Sequence, residues 1–293
     1  MKKALVFDIG GTKIYSTTVD KNGKILSEIE KFSTPKNADE IKDLLKNVIS
    51  KYENSVDAIA IATAGAVNNE NTGLLGSTGN MPAGYEKTDF QLLSKKKVYI
   101  ENDANAAAWA EHKIGASKGT KYSVMLTFGT GVGGGIILDN KLYKGKSGAA
   151  GEMHFKLRND KKRKCTCGAW DCYEIYASGT GLKLTAEEIT GNKDITTYDV
   201  INGLKNSDSK MAEVFNRWQE DILDGLIGLG NIFDPEVIVL SGSMGEFLDE
   251  KYLEDEVNKE IVTTPLKVKK ASAGNYSGMI GAGLLALESL NNG

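Results

Sequence analysis

Two glycine-rich segments of the sequence, residues 8–13 and 129–135, have the composition of phosphate-binding bends. Glycine lets the backbone approach a ligand closely, and consecutive backbone N–H groups can cradle phosphate oxygens. In the first segment, Thr12 adds a hydroxyl group and Lys13 a positive charge, while the carboxylate of Asp8 could reach Mg²⁺ through water. A tight turn that merely requires glycine would have the same composition, so one such segment alone decides little.

The second glycine-rich segment strengthens the interpretation, because both segments stand between apolar runs that predict strands. Neither segment has the lysine-containing spacing of a P-loop. A third candidate, residues 241–243, follows a predicted buried strand and suits close passage of a nucleotide base or ribose. The residues expected to contact ATP or Mg²⁺ are Asp8, Gly10, Gly11, Thr12, Lys13, Gly129, Thr130, Gly131, Gly133 and Gly242.

Residues 101–106 place three polar side chains between a predicted buried strand and an alanine-rich predicted helix. Either Asn102 or Asp103 could simply cap that helix, since both residue types are preferred at the N-cap. Alternatively, Asp103 accepts the proton of an attacking hydroxyl group and Asn102 orients the substrate. Phosphoryl transfer needs positioning, charge neutralisation and one such proton acceptor, so Asp103 is the candidate catalytic base.

The three cysteines of the chain fall between Cys165 and Cys172, and His154 lies eleven residues before the first of them. One histidine and three cysteines make a complete ligand set for a structural zinc ion. Three buried thiols are the alternative, although a cluster beside the basic run 161–164 does not suit simple core filling. The other histidine, His112, falls within a predicted helix and is expected to pack or to face solvent. The predicted metal ligands are His154, Cys165, Cys167 and Cys172.

The elements that must hold these segments repeat along the chain. Near the N-terminus the pattern predicts a strand, a glycine-rich bend and two further strands, and the same order returns after residue 121. The helical patterns at 38–52, 104–114 and 211–232 lie between or after them. The duplication predicts an α/β protein of two related domains, with both bends facing one triphosphate in an interdomain cleft. The predicted strands are 4–7, 14–19 and 25–29, and then 122–128, 136–138 and 141–143.

Length and composition agree with two domains and exclude several classes of protein. The chain has 293 residues and a formal net charge of −3, so nothing suggests a nucleic-acid or anionic membrane partner. No apolar run approaches the ~20 residues that span a bilayer. We expect a cytoplasmic protein. We also expect residues 1–117 to form a small N-terminal domain, residues 118–278 a larger domain, and a helix over 279–293 to pack back on the first.

Taken together, the motifs resemble those of the ROK family (repressors, open reading frames and kinases) over essentially the whole chain. The resemblance implies the actin-like, ribonuclease H-like ATPase fold and a homodimeric sugar kinase that uses ATP and Mg²⁺. Residues 101–107 are similar to the family's catalytic stretch, in which the aspartate matching Asp103 is the base. Residues 165–174 are similar to its zinc motif. The residues that the resemblance assigns to the sugar are Gly65, Asn80, Asn102, Asp103, Glu152, His154 and Glu174.

Two departures from the family pattern fall inside these motifs. Asp171 replaces a glycine of the zinc motif. Where the family has Gly-Glu-hydrophobic-Gly-His, residues 151–155 read Gly-Glu-Met-His-Phe. Either one glycine is missing and His154 takes the usual part, or the register holds and Phe155 stands in the histidine position. The second alternative would remove a zinc ligand and a sugar contact, whereas Glu152 is retained in both.

Three functions are compatible with such a fold: a kinase of the sugar 6-hydroxyl group, a sugar-responsive regulator, and a chaperone or filament ATPase. Regulators of the family carry a DNA-binding helix-turn-helix before the first phosphate motif, and only seven residues precede Asp8. The cysteine loop and Glu174 argue against the third class, so we expect an enzyme. The sequence around Trp109 and Ala110 favours N-acetylmannosamine as the sugar, with glucose, a β-glucoside or fructose as alternatives.

Overall fold

The computed structural model describes residues 2–76 and 80–291, where the strands form two five-stranded sheets. The strands are β1 (Lys3–Ile9), β2 (Lys13–Asp20), β3 (Glu30–Ser33), β4 (Ala58–Thr63), β5 (Val98–Asn102), β6 (Ser123–Phe128), β7 (Val132–Leu138), β8 (Lys141–Leu142), β9 (Val237–Ser241) and β10 (Lys267–Lys270). The strand order is β3-β2-β1-β4-β5 in the first sheet and β8-β7-β6-β9-β10 in the second. The two orders correspond strand for strand, as the duplicated pattern predicts.

The helices begin and end close to the limits that the sequence pattern predicts. In the first of them, α1, Asn37 caps the N-terminus by accepting the N–H of Glu40 at 2.8 Å, and the apolar positions fall on one buried face. No helix among the described residues is both long enough and apolar enough to cross a membrane. The helices are α1 (Ala38–Tyr52), α2 (Asp103–Ile114), α3 (Tyr173–Ala177), α4 (Gly179–Thr190), α5 (Thr197–Lys205), α6 (Ser209–Phe233), α7 (Glu250–Glu260) and α8 (Ser277–Ser289).

The register of the first sheet aligns the carboxyl ends of three parallel strands. β1 pairs with β4 and β4 with β5, so that Ile9, Thr63 and Asn102 lie side by side in one row. β1 also pairs antiparallel with β2, where Ile9 is opposite Ile14. The bend over residues 8–13 and the start of α2 therefore lie at the same edge of the sheet, which is where ligands bind in open α/β sheets.

Both faces of the first sheet are buried, because alternate residues of β1 belong to two different apolar clusters. Phe7 packs in the cluster that includes α1, whereas Val6 packs in the cluster that includes α2 and α8. Glycine allows α8 to approach α2 closely, since a Cβ on Gly281 would overlap the backbone of Ala106. This close packing explains why α2, which begins within the candidate catalytic segment, is rich in alanine.

By its internal contacts the chain divides into two compact units. The first unit contains the first sheet with α1, α2 and α8, and the second contains β6, β9, β10 and the helices α3 to α7. The first unit comprises Met1–Lys121, Gly135–Gly151 and Ser272–Gly293. The second unit comprises Tyr122–Gly134 and Glu152–Ala271.

The prediction of a strand over residues 25–29 is wrong. β3 lies further along the chain, and Ile25 makes only an isolated bridge to β2. A side chain interrupts the ladder here, because the N–H of Thr18 donates to the hydroxyl group of Ser27 at 3.0 Å. The hydroxyl group of Thr17 donates to the carbonyl of Ser27 at 2.9 Å. Such side-chain bonds offer the backbone an alternative to a regular ladder.

Candidate active site and metal centre

The bend between β1 and β2 leaves backbone donors available to a ligand. The N–H of Gly10 donates to the carbonyl of Lys13 at 3.0 Å and closes the turn. Thr34 occupies the bend's carbonyl groups: its hydroxyl donates to Gly10 at 2.6 Å and its N–H to Thr12 at 3.1 Å. Among the described residues, the N–H groups of Gly11 and Thr12 donate to no protein acceptor. Two adjacent free donors on an exposed bend are what an anionic oxygen requires.

The structure brings this bend to one of the predicted sugar residues. The backbone of Gly11 lies so close to Asn80 that a Cβ on Gly11 would overlap the carbonyl oxygen of Asn80. Both residues are exposed. Glycine at position 11 is thus required by the close approach of two backbone segments, which joins a predicted phosphate contact to a predicted sugar contact.

Asn102 is the N-cap of α2, so the interpretation of this residue as a helix cap is confirmed. Its side-chain oxygen accepts the N–H of Asn105 at 3.0 Å, and its amide donates to the carbonyl of Gly65 at 3.1 Å. Gly65 has a φ of 99°, a conformation that favours glycine. The cap and the bond to Gly65 fix the orientation of the Asn102 amide beside the exposed carboxylate that follows it.

Asp103 is the first residue of α2, and its side chain is exposed. Its Oδ1 accepts the N–H of Ala104 at 2.8 Å. Asp8, near the end of β1, is partly buried, and burial first and the charge of Asp103 second raise the pKa of Asp8 to about 7. A carboxylate whose pKa is raised by burial and by a second carboxylate gains stability by binding a cation. The pair therefore fits a magnesium ion as well as a proton acceptor.

A buried residue that was not predicted from the sequence holds this segment in place. Glu101 is fully buried, and its Oε1 accepts the N–H of Asn102 at 3.0 Å and the amide of Asn105 at 3.4 Å. Its Oε2 accepts the amide of Asn71 at 2.8 Å and lies 3.1 Å from the ammonium group of Lys144. The available indication was a carboxylate that ends an otherwise apolar strand, which in a buried position requires a partner.

In the second unit, the other glycine-rich bend is shorter than predicted and is held by the start of α4. β7 begins at Val132, so Gly133 lies in a strand and not in the bend. The N–H of Gly129 donates to the carbonyl of Gly131 at 2.9 Å, and the N–H of Gly179 in α4 donates to the carbonyl of Gly129 at 2.8 Å. A helix N-terminus beside a glycine bend is a favourable environment for phosphate.

The segment after β9 lies against this bend. Gly242 has a φ of 85°, and a Cβ there would overlap the backbone of Phe128, the residue before the bend. The N–H of Met244 donates to the carbonyl of Phe128 at 2.9 Å. The structure therefore brings the predicted contact Gly242 next to Gly129, as expected if both contact one nucleotide.

The predicted metal ligands come together. The ligand atoms of His154 and the three cysteines all lie within 4.8 Å of one another, and the sulfur atoms of Cys167 and Cys172 are 3.9 Å apart. Zn–S bonds of about 2.3 Å in a tetrahedron place two sulfur atoms about 3.8 Å apart. Among the described residues, the buried Nδ1 of His154 has no hydrogen-bond partner. These four side chains fit a tetrahedral metal ion.

The same geometry decides between the two alignments of residues 151–155. His154 reaches the cysteines, whereas the ring of Phe155 stacks on Tyr173 with centroids 4.8 Å apart. Nε2 of His154 lies 3.5 Å from the carboxylate of Glu152. That carboxylate raises the pKa of His154 to about 10, against the opposing effect of burial. A carboxylate on the outer ring nitrogen of a metal ligand is the usual second partner of such a histidine.

Asp171, the departure from the family's glycine, fits its place in the loop. It has a φ of 57°, a conformation that glycine adopts freely and aspartate tolerates. Its Oδ1 accepts the N–H of Lys162 at 3.1 Å, the N–H of Arg163 at 2.8 Å and the hydroxyl group of Tyr176 at 3.0 Å. The carboxylate therefore ties the cysteine loop to α3. His112, by contrast, packs beside Trp109 and lies outside the cluster.

These observations define a class before any relative is considered. The chain is a mixed α/β protein with two sheets of the same strand order, an exposed carboxylate at a helix start and glycine bends suited to phosphate. Such a site belongs to enzymes or binding proteins that handle nucleoside phosphates.

Comparison with known proteins assigns the chain to a family within this class of nucleoside-phosphate proteins. The sequence profile of the ROK family matches residues 4–289. An N-acetylmannosamine kinase of Yersinia pseudotuberculosis serotype O:1b (strain IP 31758) is 33% identical over 300 residues, covering 99% of this chain and all of the relative. The ROK hexokinase of Thermus thermophilus superposes with a TM-score of 0.86 at 27% identity, covering 99% of this chain and 100% of that one.

A second solved structure is similar over nearly its whole length. The ROK family glucokinase of Streptomyces griseus, in complex with glucose and AMPPNP, has a TM-score of 0.78 at 30% identity. The match covers 98% of this chain and 99% of that chain. The protein belongs to the ROK family, and the predicted actin-like fold class is confirmed.

Proposed function

We propose that the chain is an ATP-dependent carbohydrate kinase that transfers the γ-phosphate of ATP to the 6-hydroxyl group of a hexose-type sugar. The observation that carries the proposal is the exposed carboxylate of Asp103, located at the same sheet edge as the free donors of Gly11 and Thr12. A proton acceptor beside a phosphate cradle is what phosphoryl transfer requires. The kinases to which the chain is similar support a sugar as the acceptor.

In the proposed reaction, Asp103 accepts the proton of the sugar 6-hydroxyl group. The oxygen of that hydroxyl group bonds to the γ-phosphorus of ATP, and the bond between the γ-phosphorus and the oxygen of the leaving ADP breaks. Asn102, held by its cap and by Gly65, presents a fixed amide to the substrate. The N–H groups of Gly11 and Thr12 offset phosphate charge. The carboxylate of Asp8 would hold Mg²⁺ together with ATP, and the bound ion would neutralise further phosphate charge.

We further propose that the metal of the second unit is a structural Zn²⁺. Thiolate and imidazole ligands suit zinc, and four protein ligands close its coordination shell without water. The ion would order the loop that precedes α3 and thereby Glu174, which resemblance assigns to the sugar. Glu152 would orient His154 through Nε2, in addition to any sugar contact.

N-acetylmannosamine is the proposed sugar. The N-acetylmannosamine kinase and the glucokinase are 33% and 30% identical to this chain, so identity alone separates the two sugars only weakly. Trp109, whose surroundings favoured this sugar, is buried in the core with α8, so its side chain adds no further support for this choice. The small residues Gly65 and Ala66 would leave room for an axial acetamido group at carbon 2. Gly79, expected to contribute to that room, lies outside the described residues.

A coupled ADP-release assay across hexoses and N-acetylhexosamines tests the proposal. We expect the highest kcat/KM for N-acetylmannosamine, with glucose about 10–200-fold lower, the range for one missing hydrophobic contact. The Asp103→Asn protein, prepared in parallel, measures contaminating kinase activity. ADP release that no sugar stimulates would overturn the kinase assignment. A kcat/KM for glucose about tenfold above that for N-acetylmannosamine would replace only the sugar.

We also propose a homodimer and a cytoplasmic location. The homodimer is implied by the family resemblance. Sedimentation analysis of the purified chain would test the dimer, and fractionation of cells that produce the chain would test the location.

A further inference from the structure

We propose that Glu174 is a positioning residue that couples the metal loop to the bend over residues 129–131, so that metal binding sets nucleotide affinity. The metal loop is defined here as residues 154–172, which carry the four predicted ligands. The inference rests on the proposed function, together with the sequence prediction that the bend contacts ATP, and it concerns the second unit alone. Resemblance gives Glu174 a sugar contact; the structure gives its carboxylate two protein partners besides.

Glu174 stands between a metal ligand and the bend. It lies in the first turn of α3, whose N-cap is the ligand Cys172. Its Oε2 accepts the N–H of Val132 at 3.0 Å, and its Oε1 lies 3.3 Å from the sulfur of Cys165, which donates to it as a thiol and loses that proton when it binds metal as a thiolate. The backbone of Gly131 lies directly against this carboxylate, because a Cβ on Gly131 would overlap Oε2. A displacement of α3 therefore displaces the end of the bend.

Two further hydrogen bonds tie the bend to the start of α4. The N–H of Gly179 donates to the carbonyl of Gly129 at 2.8 Å, and the hydroxyl group of Thr180 donates to the carbonyl of Thr130 at 2.7 Å. Only Ser178 separates α3 from α4, and its hydroxyl group caps α4. The bend is thus bonded along its length to a helix pair that begins at a metal ligand.

A metal ion would restrict this helix pair to one position. The three cysteine sulfur atoms of the metal loop would then surround a single ion. Because Cys172 is the N-cap of α3, the ion would also fix the start of that helix. A bend that is already ordered loses less conformational entropy when it binds phosphate, which produces positive coupling between the two ligands. Coupling between binding sites is reciprocal, so the nucleotide must raise metal affinity by the same factor.

The test measures binding without sugar, so that a lost sugar contact does not affect the result. Protein stripped of metal by a chelator, and the same protein reloaded with Zn²⁺, are titrated calorimetrically with Mg²⁺ and AMPPNP. We expect the metal-free form to bind AMPPNP about 5–150-fold more weakly, the usual range of coupling between two sites. Competition with a chelator should show AMPPNP raising zinc affinity by an equal factor.

Variants of the linking residues separate coupling from a merely structural effect. Glu174→Ala should reduce the coupling factor to near one, whereas Glu174→Gln, which still accepts the N–H of Val132, should retain part of it. Thr180→Val removes one of the other bonds and should reduce the factor to a smaller extent. Glu187→Gln, on the side of α4 that pairs with Lys183, is the matched control and should leave the factor unchanged.

The outcomes distinguish this inference from the proposed function. Equal AMPPNP affinity with and without Zn²⁺ would overturn the coupling while leaving the kinase assignment intact. Absence of AMPPNP binding in both forms would overturn the proposed function and the coupling with it. Should Glu174→Ala fail to fold, the comparison of wild type with Glu174→Gln still decides, because unequal coupling factors support the role of the carboxylate and equal factors refute it.

Discussion

At the scale of single residues, Asp103 combines an exposed carboxylate with a backbone fixed at the start of α2. Asp103→Asn keeps the size of the side chain and an oxygen that can accept the N–H of Ala104, but it removes the proton acceptor. We expect kcat to fall on the order of 10²–10⁴-fold with nucleotide affinity little changed. Asp39→Asn, also an exposed aspartate in a first helical turn, is the control. Turnover near that of wild type in folded Asp103→Asn would refute the assignment.

Asp8 should link stability to pH. Its pKa is raised to about 7 in the native protein, by burial first and by Asp103 second, whereas the unfolded chain releases the proton at its ordinary value near 3.8. Between these values the unfolded state binds fewer protons, so native stability falls as pH rises through this window. Asp8→Asn has no carboxylate to ionise, so it avoids this loss of native stability. Its melting temperature should exceed that of wild type by more at pH 8 than at pH 5, and the two should converge only below about pH 4.

The pKa shift limits the size of this effect. Each pKa unit corresponds to about 1.4 kcal/mol of unfolding free energy. Each kcal/mol changes the melting temperature by roughly 2–4 °C in a chain of this size class. Thermal unfolding without Mg²⁺ or nucleotide measures it, since a bound cation would stabilise the carboxylate. Mg²⁺ with ADP should then raise the melting temperature of wild type and not of Asp8→Asn. A difference between the two proteins that is the same at both pH values would contradict the prediction.

The residue types of the metal loop were readable from the sequence, but the alignment of residues 151–155 was not. Histidine and cysteine at those spacings indicate a metal site whatever the fold. Whether His154 or Phe155 occupies the ligand position depends on how the chain turns after Gly151, whose φ is 96°. Glu101 was missed for a similar reason, since its partners Asn71 and Lys144 lie far away in sequence.

At the scale of elements, the junction of β5 and α2 depends on a buried ion pair. Lys144 balances the charge of Glu101 and also donates to the carbonyl of Asn68 at 3.0 Å. Lys144→Met leaves the buried carboxylate without its cation and should cost about 3–5 kcal/mol of unfolding free energy. Because Glu101 holds the N–H of Asn102, the same variant should also lower kcat.

Urea unfolding of Lys144→Met, Glu101→Gln and the double variant measures the interaction as a cycle. The double variant should recover part of the loss, since no unpaired buried charge remains. Lys146→Met, an exposed neighbour, is the control and should change stability little. Purely additive losses in the two single variants would show that the pair is not coupled.

Most strands and helices followed from hydrophobic period and caps, and the exception has a local cause. The turn at Asp139 and Asn140 forms with positive φ at both residues, as a type I′ hairpin turn requires. The strand expected over residues 25–29 fails because the hydroxyl group of Ser27 accepts the N–H of Thr18, while the side chain of Thr17 donates to the carbonyl of Ser27. Sequence period reports which residues are apolar, whereas it does not report which side chains compete with the ladder.

At the scale of the whole molecule, the repeated strand and glycine pattern predicted two related domains, and the structure has two sheets of equivalent strand order. Repetition is visible in sequence because both copies place a glycine-rich bend between two strands. Interactions between segments distant in sequence, such as Gly11 with Asn80 and Gly242 with Phe128, left no pattern of their own. They became visible only in the folded chain, where each brings predicted ligand contacts together within its own unit.

Metal content is a property of the whole chain that tests the second unit. Protein purified without chelator should contain about one zinc ion per chain, which elemental analysis measures, because the four side chains form a complete ligand set. Chelation should lower the melting temperature and weaken sugar binding, since ligand binding to the native state alone stabilises it.

His154→Gln should lose most of the zinc, because it removes the nitrogen ligand and leaves three sulfur atoms. His112→Gln changes the other histidine, which lies outside the cluster, and should retain the full content. Zinc at wild-type content in His154→Gln would reassign the fourth ligand, and its absence from wild type would remove the metal from the proposed function.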